Sequence, residues 1–139
     1  MNVRAQLAWS QVMLLALSSI TLVAGAAPLA GSEWQPLRIG GLEVPAETRA
    51  FVQFRSGGRL QGFGGCNRLM AEYQAGDGGL VLGPVAMKRM TCAESVMQRE
   101  AALVAALEGA RSYLRDRTRL VLFGIAGRPT LELRQTDWD

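Results

Sequence analysis

The chain has 139 residues, with 15 basic and 12 acidic side chains and no histidine. That length fits one domain with a real hydrophobic core and is too short to divide comfortably into two. The absence of histidine removes Cys-His and Ser-His-Asp catalysis and most zinc sites. A net charge of +3, carried mainly by scattered single arginines, argues against nucleic acid as a partner.

The first 26 residues order themselves as a secretory signal peptide. Arg4 and the free amine precede an apolar run centred on Val12 to Val23, and the small residues Ala24, Gly25 and Ala26 form an A-x-A site. Cleavage is expected after Ala26, leaving a periplasmic or secreted chain that meets the membrane only through its transient leader. The alternative is an uncleaved inner-membrane anchor. Leu7 to Ala27 is just long enough to cross a bilayer, but Ser10, Gln11, Ser18, Ser19 and Thr21 dilute it. The only cysteines are Cys66 and Cys92, so no new N-terminal cysteine is offered for lipid attachment. Residues 27–139 form a single domain on this reading, with Ala27 to Ser32 as a short flexible leader.

"EWQPLRIGG" predicts an opening strand that Pro36 places at a sheet edge and Gly40-Gly41 end. "AFVQFR" alternates as a half-buried strand and turns through "SGG" into "RLQGFGG", a first hairpin. "AEYQ" and "LVLGP" flank "AGDGG" in a second, and "RLVLF" and "TLELR" flank "GIAGRP" in a third. The densest basic group, "RSYLRDRTR", is broken by Tyr113, Leu114 and Asp116 and reads as no binding stripe.

Between the second and third hairpins, "TCAESVMQREAALVAALEGA" predicts one helix of about 17 residues. Thr91 and Glu94 have capping-box spacing, and Gly109 suits a left-handed C-terminal cap. Val96, Met97, Glu100, Ala101, Val104 and Leu107 make one stripe that Leu103 extends. One helix against antiparallel strands is the α+β class.

"GFGGCNR" raises the chemical question. It opens no helix and lacks the P-loop Lys-Ser/Thr pair, so a phosphate cradle is a weak reading. Two cysteines cannot complete a tetrahedral metal site alone. In an exported chain Cys66 and Cys92 most simply form one disulfide, whose loop of about 25 residues removes about 3.5 kcal/mol of denatured-state entropy on the chain-entropy model. Gly64 and Gly65 permit a sharp turn, and Asn67 tolerates a left-handed or side-chain-bonded one. The rival is a redox-active pair, because Cys92 falls in the first turn of the predicted helix, where the helix end favours thiolate. Met87, Met90 and Met97 bracket Cys92. Their soft sulfurs suit Cu(I), but gap-filling core methionines are the preferred reading. Asn67, Arg68, Glu72, Lys88, Arg89 and Glu94 are the polar candidates near the bridge, and their spacing specifies no acid-base pair.

"GFGGCNRLMAEYQ", then "LVLGPVAMKRMTCAE", then a helix running into "LEGARSYLRDRTRLVLF", closely resembles the META domain, the HslJ-like family of small bacterial envelope proteins. The resemblance implies an α+β domain whose antiparallel strands curl into a small open or cracked barrel packed with one amphipathic helix. Its motif falls on Gly65, Cys66, Asn67, Met87, Met90 and Cys92. It implies no enzymatic activity, no cofactor and no metal, and it associates the domain with heat or envelope stress. Ala71-Glu72-Tyr73 stands where many relatives read G-x-Y, which alters a glycine-dependent turn on this reading, and the lipobox of some relatives is missing. The expected function is therefore non-catalytic binding or scaffolding in envelope stress or envelope assembly, with an unknown envelope protein as partner. The alternatives are a periplasmic carrier of a small hydrophobic ligand and a thiol redox protein.

Overall fold

The computed structural model describes residues 28–137. The predicted leader and its cleavage position lie outside them. Ten strands and one helix follow in order: β1 (Glu33–Ile39), β2 (Leu42–Glu43), β3 (Phe51–Arg55), β4 (Arg59–Phe63), β5 (Arg68–Gly76), β6 (Gly79–Leu82), β7 (Ala86–Met87), α1 (Glu94–Gly109), β8 (Ser112–Asp116), β9 (Arg119–Phe123) and β10 (Pro129–Gln135).

The three predicted hairpins are β3–β4, β5–β6 and β9–β10. Each follows from period-two alternation between turn residues. In β3, Val52 and Phe54 are fully buried while Phe51 and Gln53 are half-buried, and β9 buries Leu120 and Leu122 in the same way. The β5–β6 turn places Asp77 at φ 51 and Gly78 at φ 79, the left-handed pair that suits strand twist in a two-residue hairpin.

The barrel is closed, not open or cracked. Strands run β1-β3-β4-β5-β6-β8-β9-β10, and β10 pairs back onto β1 from Trp34↔Gln135 to Ile39↔Leu131. All pairings are antiparallel, and the eight-stranded ring leaves β2 and β7 as short additions to β1 and β5. Closure satisfies the edges that an open sheet would leave bare. Helix α1 touches β6 on one side of the ring and the β1–β10 pair on the other, so it crosses one mouth of the barrel. Leu103 and Leu107 join Trp34, Phe54, Leu60 and Leu69 in a core with each side chain 2% exposed or less. Each contributes roughly 1.5–3 kcal/mol by burial.

Several local expectations are corrected. Pro36 is buried in a strand paired on both sides, not at a sheet edge. It is accommodated because the β10 register shifts beside it and because β3 and β2 pair only with the two ends of β1. Residues 28–32 are not a loose leader: Leu29 is 3% exposed within the core, and Gly31 N–H donates to Phe54 O at 2.8 Å. The Arg115 guanidinium donates to Pro28 O while lying over the Trp34 ring, 5.1 Å from its centroid, which clamps this segment to β8.

The helix starts two residues later than a Thr91 cap requires. Ala93 is the N-cap and makes no side-chain bond, so the predicted capping box is absent and Cys92 precedes the first turn rather than lying in it. Gly109 is the last helical residue and is not left-handed; extended Ala110 ends the helix. The buried face is Glu100, Leu103, Ala106 and Leu107, leaving Met97 and Ala101 exposed. No helix among the described residues is long and apolar enough to cross a membrane.

Candidate functional site

The corner between β4 and β5, Gly64 to Asn67, is where the chemistry-bearing residues meet. Gly65 turns the chain at φ 108, a conformation an L side chain rarely adopts. Gly64 is required by space: a Cβ there would lie 2.4 Å from Glu100 Cγ. The close approach lets the buried Glu100 carboxylate collect three donors. Its Oε2 accepts the N–H of Cys66 at 3.0 Å and of Asn67 at 2.6 Å, and its Oε1 accepts Asn67 Nδ2 at 2.7 Å. Asn67 Oδ1 accepts Met90 N–H at 2.9 Å. A side chain from α1 thus supplies acceptors that the turn lacks internally, and Asn67 passes the connection on to the segment before the helix.

Cys66 and Cys92 are joined in a disulfide, with Cα atoms 6.0 Å apart, within normal bridging range. Cys66 Sγ lies 3.4 Å from Met90 O; a bridged sulfur has no hydrogen to donate, so this is packing only. Two independent links, one covalent and one through Asn67, therefore tie residues 90–92 to the corner. Among the described residues no group of three or more His, Cys, Asp or Glu is placed to hold a metal ion.

Outside this corner lies a groove of about 580 Å³, lined by Phe63, Cys66, Asn67, Arg68, Met70, Ala86, Met87, Lys88 and Met90. Its floor comes from the barrel wall. The registers Phe63↔Arg68 and Met70↔Ala86 put these four residues on the outer face, opposite to buried Leu69. Met70 is 64% and Met90 58% exposed. A larger trough of about 870 Å³, carrying Arg55, Arg59 and Glu72, shares Met70 and Ala86 with it.

The META-domain family model matches residues 27–137. The chain belongs to the META-domain family. Among solved structures it is similar to the NMR structure of a protein from Burkholderia xenovorans, at 23% identity and TM-score 0.64, over 79% of this chain and 85% of that one. It is also similar to the crystal structure of a DUF4847-family protein from Bacteroides vulgatus, at 15% identity and TM-score 0.59, over 80% of this chain and 96% of that one. Both likenesses are of fold. No curated protein matches the sequence.

The META motif residues are brought together. Gly65, Cys66 and Asn67 make the corner, while Met87, Met90 and Cys92 lie on the segment fastened to it. Core gap-filling holds only for half-buried Met87, which packs against the core. Met90 is exposed in the segment between β7 and α1, and Met97 is exposed on α1, outside the helix face that is buried. Met97 does not line the groove, whereas Met70, unremarked in the sequence, does.

Of the polar candidates, Asn67 is 4% exposed and engaged with Glu100, Arg68 and Lys88 line the groove, and Glu72 lines the trough. Glu94 accepts a hydrogen bond from Gln98 on the exposed helix face, and Arg89 is exposed beyond the groove. Ala71-Glu72-Tyr73 runs straight through β5, so no glycine-dependent turn is altered there. Burial, with the nearby Tyr113 adding to it, pushes the Tyr73 phenol above its ordinary value; its hydroxyl donates to Arg55 O at 2.7 Å. Glu100 is the residue that sequence reasoning placed on the helix stripe without a role. Its signal was an acidic residue in the middle of an otherwise apolar face.

Proposed function

We propose that this META domain is a non-catalytic binding or scaffolding module of the bacterial cell envelope, exported by its N-terminal leader, and that it meets its partner on the outside of the barrel. The observation that carries this reading is the contrast between the two sides of the barrel wall. Inside, large side chains such as Trp34, Phe54, Leu60 and Leu122 are 2% exposed or less and fill the space a carrier would need for an enclosed ligand. Outside, an apolar groove with methionines on its surface lies beside a disulfide-fixed wall.

The assignment of polar groups supports binding over turnover. The Glu100 carboxylate is occupied by three N–H donors of its own chain, and both sulfurs are in the bridge. Export is supported by the leader pattern and by a disulfide that suits an oxidising compartment.

A photoreactive residue placed at Met70 in cells tests this reading, with the same residue at Ile125, 89% exposed in the β9–β10 turn, as comparison. Intact-mass analysis is expected to show a discrete adduct at position 70 and none at 125. Equal labelling at both positions, or none at 70, overturns the groove as the binding surface.

A further inference from the structure

We infer that the outer groove takes a single-chain anionic amphiphile, an alkyl chain ending in a carboxylate. This rests on the reading of that groove as the binding surface and supplies its occupant.

Three observations select the ligand chemistry. The first is the lining: Phe63, Met70, Ala86 and Met87 supply an apolar floor, and Met90 lies beside it. Unbranched thioether side chains adapt to an irregular alkyl chain, and each methylene buried against them contributes about 0.8 kcal/mol. The second is charge. Arg68 and Lys88 both line the groove, no Asp or Glu does, and neither cation has a hydrogen-bonding or ionic side-chain partner among the described residues. Two uncommitted cations over an apolar floor complement an apolar body with an anionic head, and the guanidinium fork matches a carboxylate. The third is size: about 580 Å³ lies within the range of small-molecule sites, enough for one chain.

The same observations count against other occupants. Cu(I) on the thioethers of Met70, Met87 and Met90 would sit beside two cations, with both cysteine sulfurs already bridged. A strand-adding peptide needs a sheet edge, and β7 offers only two residues. A bilayer surface is met by a protruding apolar face rather than a concave one.

The experiment is a titration of the purified, oxidised protein, labelled with [13C-methyl]methionine, with sodium laurate below its micelle-forming concentration. Saturable shifts are expected for the Met70, Met87 and Met90 methyls, with Met97 unmoved. The R68A/K88A double variant is expected to bind about tenfold more weakly or worse, through loss of the head-group contacts. Both positions are exposed, so the fold is expected to persist. Dodecyltrimethylammonium, which keeps the chain and reverses the head charge, needs no variant and is expected to bind weakly.

Equal binding of the two amphiphiles, or equal movement of Met97, overturns the inference, as does a response to an acidic peptide, anionic vesicles or Cu(I) without one to laurate. Silent groove methyls with a persistent Met70 adduct in cells overturn this occupant and leave the surface reading standing. Silence together with loss of the adduct removes both.

Discussion

Replacing Glu100 with glutamine changes almost no volume and isolates the acceptor chemistry of the corner. A carboxylate offers acceptors at both ends, whereas an amide must present one end as a donor. With the amide oxygen in the Oε2 position, its NH2 group faces Asn67 Nδ2; reversed, it faces the N–H groups of Cys66 and Asn67. Asn67 has no easy way to turn its amide around in response, because Oδ1 is already accepting Met90 N–H at 2.9 Å. At least one hydrogen bond to a charged group is lost, worth roughly 1.5–3 kcal/mol, and a buried donor is left facing another donor. With partial relaxation the expected loss is about 2–4 kcal/mol, a large share of the roughly 5–15 kcal/mol typical of a domain.

Urea unfolding of the oxidised protein at neutral pH, followed by the fluorescence of fully buried Trp34, reads this as a lower midpoint at unchanged m. Glu94→Gln, on the exposed helix face, is expected to stay within about 0.5 kcal/mol. A cycle with Asn67→Ala is expected to give about 1–3 kcal/mol of coupling. A Glu100→Gln protein as stable as its parent, or an additive cycle, would refute the idea that this carboxylate organises the turn.

Reduction of the Cys66–Cys92 bridge, which spans 26 residues, is expected to cost about 3.5 kcal/mol, read as the shift in urea midpoint with and without reductant; an unchanged midpoint contradicts it. Leu29→Ala is expected to cost about 2–3 kcal/mol and to speed hydrogen exchange at Gly31, whose N–H bonds to Phe54 O; exchange at the parent rate would mean the segment is not docked. The Tyr73 phenol, raised by burial, is expected to ionise above pH 10 in an ultraviolet titration, in a component that Tyr73→Phe removes. Because the folded value exceeds the unfolded one, its contribution is present below pH 10 and lost as the pH rises through the folded value, so the variant should lose stability less steeply there.

Local signals made the three hairpins legible, since alternation and turn residues lie within a few positions of each other. Strand β8 is not legible because "SYLRD" also carries the charges of a basic cluster, and its partner β9 reads equally well as half of the third hairpin. Closure was not legible. It depends on Trp34 pairing with Gln135, residues about a hundred positions apart, and no local pattern specifies that register. The sequence marked Pro36 as an edge residue by a sound rule, but a bulge and incomplete neighbouring strands let a two-sided strand hold it. The helix stripe slipped because Met97 and Ala101 fit the period as well as Leu103 and Ala106, and only the mouth of the barrel decides between them.

The family motif is physically coherent as a joint between three segments. The corner alone would bury two backbone N–H groups and an amide with no partner, and α1 alone would bury a carboxylate. Each makes the other tolerable, provided position 64 carries no side chain and position 65 can turn with positive φ. Asn67 faces both ways, donating to Glu100 and accepting from Met90, so the groove wall takes its position from a carboxylate on the helix. The disulfide fastens the same wall two residues further on. A groove whose outer methionines are free to adapt, yet whose backbone is fixed twice, loses little order when it is filled. On the proposed reading of this groove as the binding surface, the corner residues set the position of its wall although Glu100, which holds them, does not itself line it.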